Sequence, residues 1–142
     1  MANPQFDSPK EFREVMDKTF GLMSDDPDMG PKLRDADVPQ RFEFTDLDLV
    51  MNVRAARDGE DGNLYWEWTD DVDWKPKVKM TMSSETANKY FQGKENVAMA
   101  IARRRIKTGG DVKAALALIP ITKPLEGMYR EMIAADYPHL VA

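Results

Sequence analysis

Carboxylates are the residues of this chain whose type and spacing come nearest to chemistry. Asp70, Asp71 and Asp73 lie close together, and Asp58, Glu60 and Asp61 form a second acidic run just before them. Neighbouring carboxylates can divide acid and base work, or hold a calcium ion. A calcium loop, however, needs a Gly at its sharp turn and a distal Glu in fixed register. Neither run has that register, so both read as solvated turn residues. His139 is the single histidine; without a second His or a Cys it completes neither a His-based triad nor a three-His metal site. The chain has no cysteine, which removes disulfide staples, thiolate nucleophiles and sulfur-rich metal sites together. No glycine-rich phosphate loop is present. The expectation is a protein that is not an enzyme, with no catalytic residue, no metal ligand and no cofactor. An enzyme using Asp70, Asp71 and Asp73 is the alternative that such an expectation must beat.

One concentrated cationic cluster remains, Arg103, Arg104 and Arg105 with Lys107. Guanidinium groups pair in bidentate fashion with carboxylates and phosphates, so the three arginines are candidates for an anionic headgroup, a coenzyme A phosphate or an anionic membrane surface. The plainer reading is a solvated helix end whose cations complement the helix dipole.

The elements that must position these groups belong to one domain, residues 1–142. Of its 142 residues, 42% are hydrophobic and 32% charged, so one core with a well-charged surface is expected. A net charge of −5 offers no electrostatic reason to bind nucleic acid. The N-terminal stretch lacks the pattern of a signal peptide, and no run approaches the ~18 apolar residues of a membrane span. With the absence of cysteine, this places the protein in the cytoplasm as an expectation. Ten methionines are many for the length, and Met is the deformable residue that fills irregular apolar spaces.

Ser8, Pro9 and Glu11 make a capping-box start for a helix whose Phe12, Val15, Met16, Phe20 and Met23 form an apolar stripe. The Pro-, Gly- and Asp-rich segment to Gln40 reads as a loop with at most one helical turn near Lys32. From Arg41 the period becomes two. Phe42 and Phe44, then Leu47 to Ala55, then Leu64 to Trp68 alternate as strands with one face buried and one wet, the last two runs paired across a turn at residues 58–63. Val78, Met80 and Met82 make a further strand, capped by Ser83 and Ser84 into a helix that Gly93 ends. A short helix around Ile101, a brief strand at Ile106 to Thr108, a turn at Gly109 and Gly110, and a helix capped by Asp111 follow. The latter carries Val112, Ala115, Leu116 and Ile119 on one face. Pro120 and Pro124 punctuate before a last amphipathic helix, Pro124 to about Ala135.

The order from Lys77 to Leu118 resembles the sterol carrier protein 2 family of non-specific lipid-transfer domains. The residues that carry the likeness are Met80 to Ser83, Gly93 with Lys94 and Asn96, Ala100, Arg105 to Lys107, and Gly110 with Asp111. It extends over residues 41–119, with Val97 and Arg104 standing where the family usually has Pro and Gly. The resemblance implies an α+β fold, a curved, mostly antiparallel five-stranded sheet covered by helices, with an apolar cavity between them. It implies an intracellular lipid carrier that binds a fatty acid, fatty acyl or sterol-like ligand. The candidate lining is Met51, Val53, Trp66, Met80, Phe91, Ile101, Leu116, Met128 and Met132, with exchange through opening of the last helix. Transient membrane contact and a homo-oligomer are both compatible with this reading. A second reading keeps the fold but fills the core, making the domain a non-catalytic interaction or accessory module of a lipid-metabolising enzyme.

Overall fold

Ser8 opens the first helix in the computed structural model, which describes residues 5–142. Helix α1 spans Pro9–Asp25, and the Ser8 hydroxyl accepts the Glu11 N–H at 3.1 Å. The Glu11 carboxylate returns to the Asp7 N–H at 3.0 Å, one residue earlier than a capping box requires. Phe12, Val15, Met16, Phe20 and Met23 are all buried, as their spacing predicts. Helix α2, Met29–Ala36, corrects the expectation of a loop with one turn. The Asp26 carboxylate accepts the Met29 N–H at 2.7 Å to start it, and Met29, Gly30 and Leu33 bury against the core. Tertiary burial outweighs a composition that argues for a loop. Gly30 is required by the approach of α2 to α1, since a Cβ there would lie 2.5 Å from the Ser24 carbonyl.

Five strands form one sheet: β1 Gln40–Phe44, β2 Leu49–Ala55, β3 Leu64–Glu67, β4 Val78–Met82 and β5 Lys107–Gly110. Their order is β3-β2-β1-β4-β5, and every neighbouring pair is antiparallel except β1 with β4. The mostly antiparallel five-stranded sheet of the sequence expectation is therefore present. Several boundaries differ, with Trp68 falling just beyond β3 and Ile106 just before β5. Leu47 lies in the turn between β1 and β2 rather than in a strand, and Gly109 and Gly110 belong to β5 rather than to a turn. Gly110 has φ +79°, and a Cβ on it would meet the Lys77 carbonyl at 2.4 Å, so β5 can reach β4 there only with glycine.

The outer face of β2 also departs from expectation. Asn52 and Arg54 alternate with the core residues, yet both are buried. The turn that follows β2 and the segment after β3 cover them. The Arg54 guanidinium makes a bidentate pair with Glu60 at 2.7 and 2.9 Å and lies over the Tyr65 and Trp74 rings at 4.3 and 4.8 Å. Asn52 donates to the Thr69 carbonyl at 2.8 Å.

Beyond β4 come α3 Ser84–Phe91, α4 Val97–Ala102, α5 Val112–Ala117, α6 Ile119–Thr122, α7 Leu125–Asp136 and a 3-10 turn, Pro138–Leu140. Ser83, Asn96 and Asp111 cap α3, α4 and α5 through their side chains. Pro120 lies in the first turn of α6, where its missing N–H costs nothing, instead of breaking the chain there. Arg104 takes the left-handed conformation, φ +60°, between α4 and β5. That is the position where the resembled family usually has glycine, and it shows why: the chain reverses so that Arg105 N–H and Ile106 N–H both reach the Ala100 carbonyl, at 2.8 and 3.2 Å.

Candidate functional site

One face of the sheet forms a floor. The register aligns Phe42 with Met51 on one side and Met80 on the other, and Gln40 with Val53, so these side chains share a face. Phe20 and Met23 of α1, Leu33 of α2, and Ala87, Tyr90 and Phe91 of α3 wall it. Ala115 and Leu116 of α5, with Ile119 and Thr122 of α6, lie over it. They enclose an apolar cavity of about 90 Å³, set in a cleft of about 1010 Å³ when the space open to solvent is included.

The lining contains no Asp, Glu, His or Lys. Its Arg54 is held by Glu60, whose carboxyl the guanidinium and the Arg57 N–H bring down to about 2. Burial pushes the Tyr90 phenol up, against a smaller opposing effect of a hydrogen bond with Thr122. Neither group is poised to exchange a proton near neutral pH. What this space can do is hold apolar matter.

Of the residues proposed from sequence, Met51, Val53, Met80, Phe91 and Leu116 meet in this lining, whereas Trp66, Ile101, Met128 and Met132 lie outside it. Trp66 sits under α1, its ring 5.9 Å from that of Phe20 and its Nε1 donating to Asp17 at 3.0 Å. Ile101 is half-buried on α4, whose buried side is Val97 and Ala100. Met128 and Met132 flank the buried stripe of α7 and line a shallow groove with Leu22 of α1. No α7 residue lines the cavity, so the expectation that the last helix covers it is corrected. The cover is α5 and α6, neither of which has a buried residue. Phe20, Phe42 and Tyr90 are lining residues that sequence reasoning does not place there. Ala115 and Ile119 carry a signal, because their helical spacing sets them beside Leu116.

The arginines stand apart from the cavity. Arg105 pairs with Glu95 at 2.6 Å, Arg104 and Arg105 border a polar groove with Lys89, Lys94 and Lys107, and Arg103 ends α4 exposed. The acidic runs are also spread out: Asp73 pairs with Arg57 and Asp58 with Arg34. His139 Nε2 lies 2.8 Å from the Glu11 carboxylate and 3.7 Å from Asp7. The Glu11 hydrogen bond raises the imidazole above its usual 6.5. Burial alone would raise Glu11, but His139 and the Asp7 N–H bring it below its usual 4.5. These three residues have ligating atoms within 4.8 Å of one another, and the contacts they already make account for that proximity. No helix among the described residues is long and apolar enough to cross a membrane.

Solved structures with this fold are diverse. A sec-alkylsulfatase, Pisa1 from Pseudomonas sp., matches with a TM-score of 0.60 and 20% identity over 75% of this chain, which spans only 16% of the sulfatase. A ubiquinone synthesis protein of the UbiJ type matches over 87% of this chain and 97% of its own, with a TM-score of 0.61 and 8% identity. The sterol carrier protein domain of Helicoverpa armigera matches over 89% and 96%, with a TM-score of 0.54 and 17% identity. At such identities these likenesses show the fold alone. No curated protein matches the sequence. The model of the SCP-2 sterol transfer family, however, matches residues 22–123, a span that holds the entire sheet and the elements enclosing the cavity apart from most of α1, and the chain belongs to that family.

Proposed function

We propose that the protein is a cytoplasmic lipid carrier that holds a fatty acid, fatty acyl or sterol-like ligand between the sheet and the α5–α6 cover. The observation that carries this is an apolar cavity beneath two helices whose inward residues are only half-buried. Each methylene moved from water into such a space contributes about 0.8 kcal/mol, so a chain of about 15 brings on the order of 12 kcal/mol before ordering costs. The enclosed 90 Å³ is below the ~300 Å³ at which ligand sites begin. Loading therefore requires α5 and α6 to move outward and Met23, Met51, Met80 and Met82 to repack, which unbranched side chains do readily.

The small closed volume also favours a second reading, an accessory module with a filled core. The sulfatase, a much larger chain that contains this fold, illustrates the arrangement. Titration with a fluorescent long-chain fatty acid, together with mass spectrometry of co-purified lipid, decides between them. Saturable binding or a stoichiometric lipid supports the carrier. No binding by a folded protein, with a stable hetero-complex in its place, supports the module.

A further inference from the structure

We infer that the groove between α1 and α7 is a docking site for a basic amphipathic helix of a partner protein. The groove holds about 730 Å³, and its floor is apolar: Leu22 of α1 with Met128 and Met132 of α7, all three half-buried. The two helices run antiparallel, with Glu11 beside His139, Lys18 beside Tyr137, and Leu22 sharing the groove with the methionines. The stretches that line it, 18–26 and 128–136, each rise about 12 Å, room for two turns of a third helix. None of its residues lines the cavity, because Phe20 and Met23 present the opposite face of α1. The inference therefore stands apart from the carrier reading.

Two observations say what fits there. The first is charge. Asp25, Glu131 and Asp136 stand around the floor, all exposed, and none makes a salt bridge or side-chain hydrogen bond among the described residues. Asp26, also at the rim, is occupied in starting α2. The one cation, Lys18, is already engaged: its Nζ donates to the Tyr137 hydroxyl at 2.8 Å and lies over that ring at 4.8 Å. Apolar side chains ringed by unpaired carboxylates complement a helix that carries Leu or Phe on one face with Lys or Arg beside them. The methionines of the floor can adapt to its shape.

The second is Gly21, in the interior of α1 and on the groove. Nothing lies within 4 Å of where its Cβ would be. The fold itself has no need of glycine at this position, and Ala would favour the helix. A missing side chain that faces open space lets the backbone of a second helix approach closely.

Fluorescence anisotropy of a labelled Lys/Leu peptide of about 14 residues, with its leucines on one helical face, tests this against the full chain. Binding should be saturable and one-to-one, weaken with salt, and vanish for the Glu/Leu counterpart. Asp25→Asn combined with Glu131→Gln should weaken it roughly five-fold. Asp70→Asn combined with Asp71→Asn removes the same charge from a turn outside the groove and should leave it unchanged. Gly21→Leu should weaken binding roughly ten-fold while keeping the thermal midpoint at or above that of the parent. Equal losses from the two neutralising pairs would reduce the effect to net charge and overturn the site. So would parental affinity in Gly21→Leu, or no binding by the folded chain. Dimerisation that Gly21→Leu abolishes, without peptide binding, overturns it in favour of a second copy.

Discussion

The two sets of helices that cover the sheet use similar apolar sequence in opposite ways. Helices α1, α3 and α7 with the 3-10 turn hold the molecule together. Phe12, Val15, Met16, Tyr129, Ile133 and Leu140 are fully buried among them, and Phe12 meets the Phe6, Phe44 and Trp68 rings. Polar groups lock the same region: the Tyr129 hydroxyl donates to Asn88 at 2.6 Å, and Asn88 and Gln92 both donate to the Leu140 carbonyl. Helices α5 and α6 are equally apolar, yet bury no residue and leave Leu116 partly in water. The difference shows that helices in one small domain can be divided between those that bury the core and those that lie half-buried over a cavity.

The largest expected effect breaks the first region. Phe12→Ala removes a side chain with no exposure and should cost about 3–5 kcal/mol in denaturant unfolding. Asn88→Ala should cost less, about 1–3 kcal/mol, by leaving the Tyr129 hydroxyl and the Leu140 carbonyl short of partners in a buried place. Equal losses from the same kinds of substitution in α5 would refute the division.

Much of this division is legible in the amino-acid sequence. Alternation locates β1 to β4, and the Phe12 to Met23 stripe locates α1 with its buried face. Periodicity says that a face is buried, not what it faces. Met128 and Met132 follow a sound helical stripe, but that stripe packs on α1 and α3 instead of the cavity. Asn52 and Arg54 alternate as a wet face, and their cover comes from Glu60, Thr69 and Trp74, which no local pattern connects to β2. Helix α2 is hidden by its Gly and Pro, because what stabilises it is burial of Met29 and Leu33. The cover itself is half visible: Ala115, Leu116 and Ile119 carry the spacing of one face, while the space beneath them is set by Phe20, Phe42 and Tyr90 from other elements.

Leu116→Ala sharpens the comparison from the other side. The side chain is 38% exposed and borders space that is already empty, so little new cavity forms, and Ala is the better helix former. Stability should fall by about 1 kcal/mol or less, whereas fatty-acid uptake should weaken measurably. Hydrogen exchange should show α5 and α6 amides opening well before those of α7. Protection of α5 equal to that of α7 would mean that the cover does not move.

The smallest effect concerns the pair that ties the chain's end to the start of α1. His139 is raised in the folded state, so its contribution is complete below its usual 6.5 and is lost as pH rises through the folded value. Glu11 is lowered, so its contribution is complete above its usual 4.5 and is lost as pH falls through the folded value. Both act together between those limits. Because the imidazole is 38% exposed, the contact should contribute only about 0.2–1 kcal/mol. The thermal midpoint of the parent should exceed that of His139→Gln most between pH 4.5 and 6.5, and the gap should close above the folded imidazole value. A gap that stays constant into alkaline pH would assign the effect to packing rather than charge, and the rigid half would then owe nothing to this pair's ionisation.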